Sequence, residues 1–119
     1  MNIAMEKIIA LLFLDRNLTH LEHLRTSSYA QHMALGSFYE DIIELADKLA
    51  EAYQGLSGVM RGITILHEQP VKSIDQVLWD HMLEIQKFRK EVNFTALQNI
   101  LDEVVGLYLS TIYKLRNLH

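Results

Sequence analysis

Six residues of this 119-residue chain interrupt regular structure, five glycines and one proline, and four of them (Gly55, Gly58, Gly62 and Pro70) fall in one stretch. Two long segments must therefore flank a single connector. Within those segments the apolar residues step by three and four. From Ile3 to Leu24 they are Ala4, Ile8, Leu11, Leu14, Leu18 and Leu21, a spacing that gathers side chains on one face of a helix. Strand-like alternation is nowhere sustained.

Local signals divide each segment again. Arg25-Thr26-Ser27-Ser28 breaks the first, and Ser28 followed by Gln31 predicts a capping box that opens a second helix. That helix carries the stripe Leu35, Phe38, Ile42, Leu45, Leu49 and Tyr53, and Gly55 is the expected left-handed C-cap. Beyond the connector, Ser73 with Gln76 and Thr95 with Gln98 predict two more capped starts. Their stripes are Ile74, Leu78, His81, Ile85, Phe88, Val92 and then Leu97, Leu101, Val104, Tyr108, Ile112, Leu115. The expectation is an all-α four-helix bundle, one domain over 1–119, with helices at about 3–24, 29–54, 74–92 and 96–117 and a longer connector between the second and third. The β-branched run Gly62 to Leu66 reads equally as a short helix or as extended chain. Gly106 inside the last helix costs about 1 kcal/mol relative to alanine, which predicts a close approach between helices there.

Composition narrows the function. Eleven basic against fifteen acidic residues give a net charge of −4, the wrong sign for a surface that grips phosphate backbones, and this argues against nucleic acid as a partner. The absence of cysteine excludes disulfides and thiolate metal sites and agrees with a cytoplasmic protein. The longest apolar run, Ile8 to Leu14, falls far short of the roughly 20 residues a membrane span needs. Glu6 beside Lys7 ahead of it, with no small-residue cleavage site after it, argues against a signal peptide. No nucleophile elbow, phosphate loop or zinc-protease motif occurs. The one basic cluster, Lys87, Arg89 and Lys90, is interleaved with Glu84 and Glu91 and reads as a solvated face.

Helical bundles commonly hold metals through inward Glu-x-x-His pairs, but none of the six histidines has an acid three residues before it. What stands out instead is a set on the first two helices: His20, His23, His32, Asp47 and Glu51. His32 and Asp47 lie about 22 Å apart along one helix, so one ion cannot touch both within a chain. At about 100° per residue, His32, Gly36, Ile43 and Asp47 share a flank beside the core stripe, with Glu51 further round. Two copies packed antiparallel across a two-fold axis would bring His32 and a first-helix histidine of one chain to Asp47 and Glu51 of the other, creating two identical sites. Imidazole with carboxylate suits iron, zinc or manganese. The competing reading leaves His20 and His23 as a solvated helix end and Asp47 and Glu51 as a charged flank. His81, alone on its apolar stripe, reads as a hydrogen-bonded core histidine, and Tyr29, Phe38, Tyr39 and Tyr53 as core or interface packing.

The stretch from His20-Leu-Glu-His23 to Ala50-Glu51 resembles the first two helices of Dps-type mini-ferritins, in which a histidine pair is followed by Asp-x-x-x-Glu. The segments SYAQHMALGSFYE, LAEAYQG and LQNILDEVVGLYLSTIYKL are also similar to a group of small bacteriophage proteins with a ferritin-like fold. The resemblance implies a ferroxidase site between two-fold-related subunits. His32 matches the second-helix histidine, and Asp47 and Glu51 match the acidic pair. His20 has the family's distance to His32, whereas His23 matches the second histidine of the family's His-x-x-His cluster. Leu24 stands where that family usually has tryptophan, and Gly36 where a further acidic ligand is common. The chain is also short and lacks a lysine-rich tail, which sets it apart from DNA-compacting, iron-storing shells.

Two functions follow as expectations. One is a phage-type, homo-oligomeric metal-binding protein of the host cytoplasm, pairing through its first two helices, with Fe(II) oxidation as its activity. The other is a non-enzymatic helical module, a virion component or host-factor binder, that has lost the metal chemistry.

Overall fold

A computed structural model describes residues 3–119; Met1 and Asn2 of the expected 1–119 domain lie outside the described residues. Among the described residues there are four helices and no strand: α1 (Ile3–Arg25), α2 (Tyr29–Ser57), α3 (Ile74–Arg89) and α4 (Thr95–Asn117). α1 and α4 each pack against both α2 and α3, which places α1 opposite α4 and α2 opposite α3 around one core. Leu35, Phe38, Ile42, Leu49, Leu78, Ile85, Leu101 and Tyr108 fill it. Phe38 meets Tyr108 edge-to-face, ring centroids 5.1 Å apart, an arrangement the ring quadrupoles favour.

The connector explains the composition of α1. From Ala4 to Leu12 only Lys7 is exposed, because α2, α3 and the connector cover that half of the helix together. A helix enclosed on three sides has little solvent face to keep polar, hence Ile8–Leu14. The connector, residues 58–73, is irregular throughout and runs along α1. Gly62 N–H donates to the buried Glu6 carboxylate 2.7 Å away, Ile63 and Leu66 pack on the core, and residues 69–74 end beside Leu18, Leu21 and Arg25. A Cβ at Gly62 would stand 2.7 Å from Glu6 Oε2, so any side chain there displaces that carboxylate.

The ends of the elements correct several expectations. Ser28 caps α2 as predicted, accepting from Gln31 N–H at 3.2 Å, although the Gln31 side chain pairs with Thr26 instead of returning to Ser28. α2 continues through Gly55 and stops at Gly58, the one glycine with positive φ (90°). Ser73 precedes α3 without a side-chain cap, and Phe94 is the residue before α4, so neither further capping box forms. Gln98 donates instead to the carbonyls of Arg89 and Val92, closing the α3–α4 turn from its far side. α3 ends at Arg89; tight turns carry Glu91 and Val92 onward, and Val92 enters the core from the turn. Arg89 is not a solvated cation but a staple, bonded to Gln98 and Asp102 of α4. Gly106 is exposed, with open space where a Cβ would go, so no close helix approach explains it. Leu21, expected on the core stripe, is 57% exposed: the buried positions pass through Asp15 and Thr19 instead. None of the described helices is long and apolar enough to cross a membrane.

Candidate functional site

The α1–α2 hairpin brings His20, His23 and His32 together at its closed end. The His23 and His32 rings stack with centroids 3.7 Å apart and 20° between planes, while His20 stacks on Tyr39 at 4.1 Å. Tyr39 also meets His23 edge-on, and the Arg16 guanidinium lies over the Tyr39 ring, 5.3 Å from its centroid. Gly36 lets the His23 ring lie close against α2, since a Cβ there would stand 3.2 Å from His23 Cε1 and press on that ring.

The hydrogen bonds fix the tautomers. His23 Nδ1 lies 2.6 Å from the His32 carbonyl, and His32 Nδ1 lies 2.9 Å from the His23 carbonyl. A carbonyl only accepts, so both Nδ1 atoms donate, and in the neutral rings each Nε2 keeps its electron pair. Metal-ligating histidines are commonly held this way, with the second nitrogen donating to a carbonyl or carboxylate. His20 has no such orienting bond. Asp47 and Glu51 are exposed, on the far stretch of α2, and make no ion pair among the described residues. The structure therefore groups the three histidines and leaves the two carboxylates apart from them. Among the described residues, no cluster of three or more histidines and carboxylates within this single chain could hold a metal ion.

A second histidine centre lies in the core. His81 Nδ1 donates to Asp15 Oδ1 at 2.5 Å, and the Tyr108 hydroxyl donates to Asp15 Oδ2 at 2.5 Å. His81 Nε2 faces the Glu68 carboxylate of the connector at 3.4 Å. His81 is thus the hydrogen-bonded core histidine its stripe predicts. Burial pushes the Asp15 carboxyl above its ordinary 3.8, against the bonds from His81 and Tyr108. Burial pulls the His81 imidazole down, but the hydrogen bond and charge of Asp15, with the charges of Glu68 and Glu84, outweigh it and hold the pKa above 6.5. Burial and the Asp15 charge push the Tyr108 phenol well above 10. Sequence reasoning missed Asp15, which reads as the residue closing an apolar run. The available signal was its step of four from Leu11, with Thr19 four further on, at core positions.

The sequence profile described as "Family of unknown function (DUF5856)" matches residues 23–115. One relative, the "Uncharacterized 14.6 kDa protein in mobD-ri intergenic region" of Enterobacteria phage T4, is 29% identical over 115 residues, covering 92% of this chain and 86% of the relative. No solved structure matches.

Proposed function

The chain belongs to the family of unknown function DUF5856, and on that premise we propose that it is a phage-type metal-binding protein of ferritin-like fold that acts as a two-fold dimer. His32 with His23 or His20 of one copy, and Asp47 and Glu51 of the other, would hold the ion. The observation that carries this reading is the reciprocal clamp in which His23 and His32 each donate Nδ1–H to the other's carbonyl, leaving two Nε2 electron pairs for a ligand. Two helical hairpins joined by one long crossover support the ferritin-like fold. The donor set, imidazole and carboxylate, fits Fe(II), Zn(II) and Mn(II). With Fe(II) as substrate the site would supply ferroxidase chemistry, while the protein fixes the spacing of the donors and the access of the ion.

An anaerobic Fe(II) titration of the metal-free protein tests this against the Asp47→Ala/Glu51→Ala variant. Saturation at about one ion per chain is expected, since a two-fold pair creates two identical sites, and the variant should lose it while remaining a folded dimer. Binding that survives both substitutions, or no binding by a folded wild-type dimer, overturns the proposal. A second reading, a virion component or host-factor binder without metal chemistry, is favoured by the exposed Leu24 (68%), Tyr29 (77%) and Met33 (51%) around the α1–α2 turn.

A further inference from the structure

The two halves of the connector are held differently. Residues 58–66 are fastened by apolar contact and by backbone hydrogen bonds: Met60 is buried and its N–H donates to Gln54 Oε1, Gly62 N–H donates to Glu6, and Ile63 and Leu66 rest on the core. Residues 67–72 have no such footing, whereas Ser73 opens α3 with its carbonyl accepting from Val77 N–H at 3.0 Å. All six are exposed, Val71 at 99%, and two ion pairs attach them to α3: Glu68 with His81 at 3.4 Å, and Lys72 with Asp80 at 2.9 Å. Between this half and α3 lies an open pocket of about 310 Å³, lined by His81, Val77, Asp80 and the connector itself.

We propose that residues 67–72 form a pH-sensitive flap over the buried Asp15–His81 pair, closed when the His81 imidazolium faces Glu68 and released when His81 loses its Nε2 proton. Every charged group facing His81 bears on this. Asp15 of α1 accepts its Nδ1–H, and Tyr108 of α4 donates to the other Asp15 oxygen. Asp80 and Glu84 of α3 and Glu68 of the connector add negative charge, and Lys72 is drawn off by Asp80. Because Asp15 keeps the Nδ1 proton in place, the proton lost on titration is the one on Nε2. A lone pair then faces a carboxylate, the attraction is gone, and only Lys72–Asp80 holds the flap. The same groups hold the imidazolium above its ordinary pKa of 6.5, so release comes as pH rises.

The test is limited tryptic proteolysis of the full-length protein from pH 6 to about 9, read as the ratio of first cleavage after Lys72 to first cleavage after Arg61 so that the protease's own pH dependence cancels, with the His81 titration followed by NMR. The ratio should rise up to about fivefold as His81 deprotonates, the scale set by loss of one partly exposed ion pair. Glu68→Gln should flatten the response, because an amide can donate to neutral Nε2 or accept from the protonated ring. A level ratio across the His81 titration, a His81 that does not titrate in this range, or an unaltered response in Glu68→Gln overturns the proposal. The flap involves none of the residues proposed to hold the metal, so either proposal can fail alone.

Discussion

At the centre of the molecule His81 donates its Nδ1 proton to the carboxylate of Asp15, whereas at the α1–α2 turn His23 and His32 donate theirs to main-chain carbonyls. The same imidazole geometry has two outcomes. Asp15 is completely buried, and its two oxygens are both taken, by His81 and Tyr108. That centre is satisfied within its own chain, and it cross-links α1, α3 and α4. The turn cluster bonds to main-chain carbonyls, is half-exposed, and links only α1 to α2. A buried carboxylate with both oxygens taken ties His81 into the core, while a carbonyl partner orients the ring of His23 or His32 through Nδ1 alone.

The contrast breaks most visibly at Asp15. Asp15→Ala strands the Tyr108 hydroxyl and the His81 ring in the core, and loss of one member of a buried charged pair costs about 3–5 kcal/mol. Urea unfolding should show that drop, and Fe(II) binding by whatever fraction remains folded should be unchanged. His32→Ala should do the reverse, removing metal affinity at a cost in stability of about 1 kcal/mol, typical of a part-exposed hydrogen bond. If the two substitutions had equal effects on stability, the distinction between a structural and an available histidine would be lost.

Tyr108→Phe is milder. The ring keeps its edge contact with Phe38, but Asp15 loses a donor, at a cost of about 1–2 kcal/mol. The Asp15 carboxyl, already held above 3.8 by burial, should move further up, which a carboxyl-carbon NMR titration reads directly.

The third difference is in pH. The folded His81 pKa lies above the unfolded 6.5, so its stabilising contribution is fully present below 6.5 and is lost as pH rises through the folded value. Stability measured by urea unfolding should therefore decline from about pH 6.5 upward, and His81→Gln, which cannot titrate, should flatten that limb. A limb that persists in His81→Gln would assign the titration elsewhere.

How much of this could be read from the sequence follows the same division. The four helices were legible because Gly55 to Pro70 gathers the breaks and because the stripes of α2, α3 and α4 keep helical period. α1 was harder, since a helix enclosed by two helices and a connector loses the polar face that sets the phase, and Leu21 was placed inward although it is exposed. The stop of α2 moved three residues because both Gly55 and Gly58 could end a helix, and only the backbone shows that Gly58 takes the positive φ. His20, His23 and His32 were found by spacing along neighbouring helices. The Asp15–His81–Tyr108 centre was not, because its members are 66 and 93 residues apart and belong together only through the packing of α1, α3 and α4.

The smallest expected effect on stability is at Gly36. Gly36→Ala adds a residue of better helix propensity, a gain of about 1 kcal/mol in an unobstructed helix. Its Cβ, however, would meet His23 Cε1 at 3.2 Å and Nδ1 at 3.3 Å, and that ring is backed by His32 and tied to its carbonyl. The crowding offsets the gain, so the net change in stability should stay within about 1 kcal/mol of zero while the His23 ring shifts. If His23 is the first-helix ligand, Fe(II) affinity falls in Gly36→Ala and in His23→Ala but not in His20→Ala. If His20 is the ligand, affinity falls in His20→Ala, while Gly36→Ala still acts on the site through the His23–His32 stack, since His32 is a ligand on either reading. His20→Ala thereby decides a question that the twelve-residue spacing to His32 leaves open.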